Sequence, residues 1–256
     1  MTNQIIQGKW EDNIETISDN SIDLIYTDPP YEMNYLSNIP GSKEWNKGDK
    51  STKFDSIITG DIKGGVNWEL LAKEAYRVLK QDKYLFLHCN LGIIINNARF
   101  FEQAGFIIKG CIAWNKKFAI GGDLKGAMKR DWEPIIYMCK GEKGCFNPVE
   151  VMREDELQER SRISEISDWV FGLPKKEKIG FPTQKPIALC KQVISLTTKE
   201  GDIILDPFCG SGSIPLAAKE LKRNFLAYEV DEKVCKLAND RINGNITIID
   251  DNNLQE

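Results

Sequence analysis

An α/β fold built from repeated strand–helix units is predicted by three features of the sequence. Short apolar runs alternate with amphipathic stretches of helical period. Strand-like runs end in Asp followed by Pro, as in Asp28-Pro29 and Asp206-Pro207. The 256 residues, 41% apolar and 28% charged, suit one sizeable core rather than two, so residues 1–256 are expected to form a single domain.

Ile22 to Thr27 reads as a buried strand that must stop at Asp28-Pro29-Pro30, because proline cannot donate to a central ladder. Asp28 is thereby placed at a strand's carboxyl end. Behind Asn67, a candidate N-cap, Leu71, Ala75, Val78 and Leu79 share one face of a helix from Trp68 to Lys80. Tyr84 to Cys89 is the next strand, and a helix from about Leu91 to Ala104 is stopped by Gly105. Phe106 to Trp114 and Pro134 to Cys139 follow as an expected antiparallel edge pair. A helix covers Ile187 to Leu196 after Pro186. Two strand–helix units follow it: Ile203 to Asp206 with a helix near Ile214 to Leu221, and Phe225 to Val230 with a helix near Glu232 to Ile242. Residues 32–66, rich in Gly, Ser, Asn and Lys, and residues 141–180, charged and turn-rich, break the alternation, as functional or mobile loops do.

Seven cysteines lie scattered without a CxxC pair, and His88 is the only histidine, so no zinc site is expected. No signal-like segment precedes Trp10 and no apolar run is long enough to cross a bilayer, so the expected compartment is a reducing cytoplasm. The net charge of −4 offers no general attraction to a polyanion. Lys109, Lys116, Lys117, Lys125, Lys129 and Arg130, set against the single acid Asp123, form either a phosphate-contacting surface or an ordinary solvated basic stretch.

Ligands of open α/β sheets bind beyond the carboxyl ends of the strands. Asp206-Pro207-Phe208-Cys209-Gly210-Ser211-Gly212 occupies such an end, with glycines that let the backbone turn tightly or approach a ligand. Glu229 follows about twenty residues after Gly210, the place of an acid that binds a ribose diol. Asp206 would repel a pyrophosphate but suits a cationic amino-acid end, which favours S-adenosylmethionine over a dinucleotide. At Asp28-Pro29-Pro30-Tyr31 the prolines stiffen the turn and leave carbonyl acceptors free. The Asp28 carboxylate and the Pro29 carbonyl would accept from both N–H groups of an exocyclic base amine and free its delocalised lone pair for attack. Tyr31 offers a face on which the base, extruded from its duplex, would stack.

These motifs resemble those of the β-class amino-methyltransferases of DNA, in which the catalytic motif precedes the cofactor motif. Asn20 to Tyr31 resembles motif IV of that family, Phe181-Pro182-Thr183-Gln184-Lys185-Pro186 its motif X, and Leu205 to Ser213 its motif I; Arg130-Asp131-Trp132-Glu133-Pro134 resembles a segment on the target-base side. The resemblance implies a permuted Rossmann-like fold, with a mostly parallel seven-stranded sheet and helices on both faces. It also implies a cytoplasmic, site-specific enzyme of DNA methylation or restriction–modification that uses S-adenosyl-L-methionine on double-stranded DNA, without a metal or membrane attachment and with dimerisation as an option. Asp28, Pro29, Pro30 and Tyr31 would be catalytic. Asp206, Pro207, Phe208, Gly210, Ser211 and Gly212 would cradle the methionine part, Glu229 the ribose, and Thr183 with Lys185 would help close the cofactor site. The Asp-Pro-Pro-Tyr form resembles the adenine-N6 enzymes; an N4-cytosine or dual-specificity enzyme, or a non-catalytic DNA-binding subunit, are the other readings. Residues 32–66 would be a mobile loop over DNA, and 141–180 a short target-recognition or dimerisation insert. Two positions depart from the family: Lys9 follows Gly8 where an acid is common, and Phe181 stands where His is frequent.

Overall fold

The computed structural model describes residues 3–30, 65–120, 130–153, 156–160, 163–181 and 183–246. Tyr31, residues 32–64 of the proposed loop, Lys125, Lys129 and Pro182 lie outside the described residues. In chain order the strands are β1 (Gln4–Gln7), β2 (Ile22–Thr27), β3 (Leu79–His88), β4 (Ile107–Ile120), β5 (Arg130–Cys139), β6 (Val149–Arg153), β7 (Glu156–Arg160), β8 (Ile203–Asp206) and β9 (Asn224–Glu229). The α-helices are α1 (Trp68–Val78), α2 (Leu91–Ala104), α3 (Ile187–Thr197), α4 (Ser213–Glu220) and α5 (Glu232–Ile242).

Seven strands form one sheet in the order β1-β9-β8-β2-β3-β5-β4, and β6 pairs with β7 in a separate hairpin. Pairing is parallel from β1 to β3, and β5 runs antiparallel to both β3 and β4. The expected α/β methyltransferase-type sheet with an antiparallel edge pair is therefore present. Every residue of the central strand β2 is buried, including Asp23, whose carboxylate pairs with the Lys80 ammonium at 2.8 Å. Alternation sends Leu24 and Tyr26 to one face, where they pack with Val193 of α3, Ala217 of α4 and Ala238 of α5. Ile25 faces the other way, into a layer with Leu71 and Ala75 of α1 and Ile93 and Phe101 of α2.

Local signals set most boundaries. The Asn67 and Asn90 side chains accept from the third residue on, Leu70 and Ile93, and Asp231 accepts from the Lys233 and Val234 amides, so three helices begin on side-chain caps. Gly105 ends α2 in the left-handed region at φ 108°. Helix α1 stops at Val78, two residues before the sequence-based end at Lys80. Leu79 opens β3 instead, fully buried and in register with Ile22. No Gly or Pro marks that junction; the pairing partner, far away in sequence, decides it. Strand β4 likewise extends to Ile120, beyond the expected Trp114, because β5 begins early enough to pair with it.

Within residues 141–180 the β6–β7 hairpin takes the place of an irregular loop. The downstream part of that segment is fastened to the sheet. Trp169 is buried in the main core and donates its indole N–H to the Ser164 carbonyl at 2.8 Å, while Trp114 of β4 donates to the Phe171 carbonyl at 2.9 Å. Among the described residues no helix is long and apolar enough to cross a membrane.

Because Trp169 is part of the core rather than of a separate lobe, Trp169→Ala is expected to destabilise the whole protein by about 3–5 kcal/mol. Urea unfolding followed by fluorescence and circular dichroism checks this. A transition that leaves the sheet's midpoint unmoved would mean that the segment unfolds independently.

Candidate active site

Chain connections leave β2 toward β3 on one side and β8 toward β9 on the other, so the strand order switches between β8 and β2 and opens a crevice at their carboxyl ends. The strands deliver polar residues to this edge. Asp206 ends β8, Glu229 ends β9, His88 ends β3, and Asp28 immediately follows β2. Strand β5 is antiparallel, so its amino-terminal part, with Glu133, reaches the same edge.

Asp28 and Asp206 flank the crevice. Thr27 Oγ1 donates to Asp206 Oδ1 at 2.7 Å, and the Phe208 amide donates to the same oxygen at 3.2 Å. Asp28 Oδ2 lies 2.6 Å from the Lys185 ammonium. The other oxygen of each carboxylate, Asp206 Oδ2 and Asp28 Oδ1, is buried and has no hydrogen-bond partner among the described residues. A buried acceptor left in that state costs about 1–3 kcal/mol. Burial pushes the Asp206 carboxyl up to about 7, against the opposing effect of its Thr27 and Phe208 hydrogen bonds.

On the β2 side the charges form a network. Lys185 Nζ also lies 3.2 Å from Glu133 Oε1, and Lys116 Nζ lies 2.6 Å from Glu133 Oε2. His88 Nδ1 is 3.0 Å from Glu133 Oε1 and its Nε2 is 2.9 Å from the Tyr26 hydroxyl. Burial lowers the His88 pKa and raises that of Tyr26, so both are neutral. Nδ1–H then donates to Glu133, and Nε2 accepts from Tyr26. Burial opposes the charge on Glu133, but Lys185 and the hydrogen bond from His88 outweigh it and hold the carboxyl well below its ordinary value. The Trp114 ring underlies both ammonium groups, 5.2 Å from Lys116 Nζ and 5.8 Å from Lys185 Nζ. Asp28, His88 and Glu133 present ligand-type atoms within 4.8 Å of one another, but the cation placed against both carboxylates is the Lys185 ammonium.

On the β8 side the glycine turn is confined by its neighbours. Gly210 and Gly212 adopt φ of 49° and 75°. A Cβ on Gly212 would stand 3.0 Å from the Ala238 Cβ of α5, and one on Gly210 would meet the Phe181 ring at 3.4 Å. Phe181, the departure from the motif X pattern, thus packs over the turn. Glu229 accepts from the Gly210 amide at 3.0 Å and from the Asp231 amide at 2.9 Å, one on each oxygen, which leaves further lone pairs. Arg241 of α5 is buried behind the turn, where it donates to the Ser211 carbonyl at 3.0 Å and to Ser213 Oγ at 2.9 Å. Ser213 Oγ in turn donates to the Lys185 carbonyl at 2.9 Å.

The structure therefore brings together Asp28, Asp206, Lys185 and the glycine turn, with Pro29 and Pro207 buried and Pro30 exposed. Thr183 is exposed, and Lys9 is exposed just beyond the end of β1. Sequence reasoning singled out none of Tyr26, His88, Thr27 or Arg241 for the site, and it placed Lys116 in a basic stretch that is either phosphate-contacting or merely solvated, whereas in the structure Lys116 pairs with Glu133. His88 carried a usable signal as a polar residue closing an apolar strand, and Glu133 lies in the segment that resembles the target-base side.

The profile of the DNA methylase (N6/N4 methyltransferase) family matches residues 22–240. The chain is 33% identical over 230 residues to the Type II methyltransferase M2.DpnII of Streptococcus pneumoniae, covering 87% of this chain and 82% of that protein. The PvuII DNA methyltransferase (cytosine-N4-specific) superposes with a TM-score of 0.69 at 15% identity, over 98% of this chain and 88% of that one. The M1.HpyAVI–SAM complex superposes with a TM-score of 0.61 at 24% identity, over 93% and 98%.

The Asp206 carboxyl rises from an ordinary 3.8 to about 7 on folding, so between those values the native state keeps a proton that the unfolded chain has lost. Stability contributed by this group falls as pH rises from about 4 to 7 and stays lowered above, at a cost of roughly 4 kcal/mol. Asp206→Asn removes the titration. Urea unfolding at pH 5 and pH 8 should show the stability of the variant relative to the parent increasing with pH; a difference that does not change with pH would refute the assignment.

Proposed function

The chain belongs to the DNA methylase family, and from that premise we propose that it transfers a methyl group from S-adenosylmethionine to the exocyclic N6 of an adenine extruded from double-stranded DNA. The observation that carries this reading is the pair of buried, unpartnered carboxylate oxygens, Asp28 Oδ1 and Asp206 Oδ2, on either side of the crevice.

The residues on the β8 side fit the cofactor. Asp206 Oδ2 would accept from the ammonium of the methionine part, the turn at Gly210 and Gly212 leaves backbone close to the ligand, and Glu229 retains lone pairs for a ribose diol. Pro207, Phe208 and Ser211 would complete that cradle, and Thr183 would help close it. When bound, S-adenosylmethionine supplies an electrophilic methyl group on a sulfonium. Asp28 Oδ1 and the Pro29 carbonyl accept from the amine of the base, which draws its nitrogen toward a tetrahedral form and releases the lone pair for in-line attack. Tyr31 is the proposed stacking face for the base. Preference for adenine follows from the Asp-Pro-Pro-Tyr form of the motif. The PvuII enzyme, cytosine-N4-specific by title, has a similar fold, so the identity of the base is a matter for product analysis.

Asp28→Ala should lower turnover by at least about 10³-fold while cofactor affinity stays within a few-fold, because the lost contact acts in the transition state. Single-turnover transfer and calorimetry measure the two, and a variant that retains full turnover would remove Asp28 from the mechanism. Nucleoside digestion of DNA methylated by the parent protein should yield N6-methyladenine; N4-methylcytosine as the sole product would transfer the assignment to cytosine.

A further inference from the structure

We infer that Lys185, held by Glu133, is a positioning residue for Asp28: it binds one carboxylate oxygen so that the other alone is presented to the target amine. The inference rests on the proposed methyl transfer and deepens it. It moves the side chain of Lys185 from the cofactor half of the site, where resemblance puts it, to the base half.

The geometry favours this placement. The Lys185 side chain is 9% exposed, and its ammonium lies 2.6 Å from Asp28 Oδ2 and 3.2 Å from Glu133 Oε1. Asp28 follows the end of β2 and precedes two prolines, so no ladder hydrogen bond holds it. A carboxylate at such a place rotates unless a partner pins one oxygen. Glu133 is in turn fixed from two further sides, by Lys116 at 2.6 Å and by His88 at 3.0 Å, and His88 is held by Tyr26 at 2.9 Å with the two rings stacked at 5.5 Å. The chain of contacts ends in the fully buried Tyr26 of the central strand, so the position of Asp28 is referred back to the most rigid part of the sheet.

Lys185 acts here as a fixed charge and not as a proton carrier. Burial works against its charge, but Asp28 and Glu133 more than offset that and raise its pKa above the ordinary value. Its backbone serves the other half of the site, since the Lys185 carbonyl accepts from Ser213 at the start of the helix after the glycine turn. One residue thereby ties the base half to the cofactor half, through its side chain on one side and its main chain on the other.

The test compares the full-length parent with Lys185→Met, Lys185→Arg, Glu133→Gln and the double variant Glu133→Gln/Lys185→Met. Single-turnover methyl transfer to DNA at saturating S-adenosylmethionine and the cofactor Kd by calorimetry are measured for each. Lys185→Met is expected to slow transfer by about 10²-fold, the scale of losing one preorganised electrostatic contact, with the cofactor Kd within about threefold; Lys185→Arg should recover part of the rate. Glu133→Gln should slow transfer less. The double variant should be no slower than Lys185→Met, because Glu133 acts through Lys185. It leaves one acid, Asp28, and one cation, Lys116, in this network, so it keeps the test open even if Lys185→Met, with two acids and one cation, fails to fold. A cofactor Kd raised tenfold or more with transfer at saturation intact would overturn the inference in favour of a cofactor role. Losses that multiply in the double variant would overturn the linkage through Glu133. If the parent itself transfers no methyl group to DNA, the proposed function fails and the inference with it, whereas an active parent with unimpaired Lys185 variants sinks the inference alone.

Discussion

The hydrogen bond from Thr27 Oγ1 to Asp206 Oδ1 fastens the two halves of the site together. The β2–β8 ladder registers only Leu24 with Ile204 and Ile25 with Leu205. Beyond those pairs the connections diverge toward opposite edges of the sheet, and the crevice opens where backbone pairing stops. A single side-chain contact of 2.7 Å continues the junction to the carboxyl ends. Asp28, the next residue, and Asp206 are therefore set in fixed relation although they lie at opposite ends of the chain. The permuted order of motifs has little structural consequence for that reason: what matters is which strands are neighbours, not which is translated first.

The same region illustrates a conflict between stability and use. Two carboxylate oxygens without partners, a carboxyl titrating near 7 and a buried four-charge network all cost folding free energy that apolar residues would not. Their maintenance falls to the surrounding core. Tyr26, Phe86 and Trp114 pack around the His88 and Lys185 side of the crevice, and Arg241, itself buried, spends its guanidinium on the Ser211 and Ser213 turn. Sites that bind through pre-placed acceptors need such support, because each acceptor must stay dry and oriented before its partner arrives.

Much of the architecture was legible in the sequence because local chemistry and tertiary demand agree. Asn67, Asn90, Gly105 and Asp231 mark helix ends by capping and left-handed conformation, and the buried β2 announces itself as an apolar run cut off by Asp-Pro-Pro. The Asp28 and Asp206 ends were legible for the same reason. Features that depend on pairing between distant segments were not. The switch from α1 to β3 at Leu79, the reach of β4 to Ile120 and the hairpin of β6 and β7 each need a partner strand that local patterning does not reveal. The Lys185–Glu133–His88–Tyr26 network was hidden in the same way. It joins residues from four separate segments, and a local mark such as a polar residue closing an apolar strand does not reveal which distant residues the fold will set against it.

The charge balance of the two halves differs in a way that matches what each is proposed to hold. On the base side Asp28 and Glu133 face Lys185 and Lys116, two acids against two ammonium groups, with His88 and Tyr26 neutral. Among the described residues the charges of that half are matched in number, and Asp28 Oδ1 is left without a hydrogen-bond donor, which is the requirement of a neutral amine. On the cofactor side Asp206 accepts from a hydroxyl and an amide, and Glu229 from backbone amides. Neither acid there is matched to a cation in those contacts, and burial raises the pKa of both. Such a half gains most from a ligand that brings positive charge and least from one that brings phosphate. An electrophile of the sulfonium type with an ammonium group therefore suits the β8 side, and an uncharged nucleophile suits the β2 side.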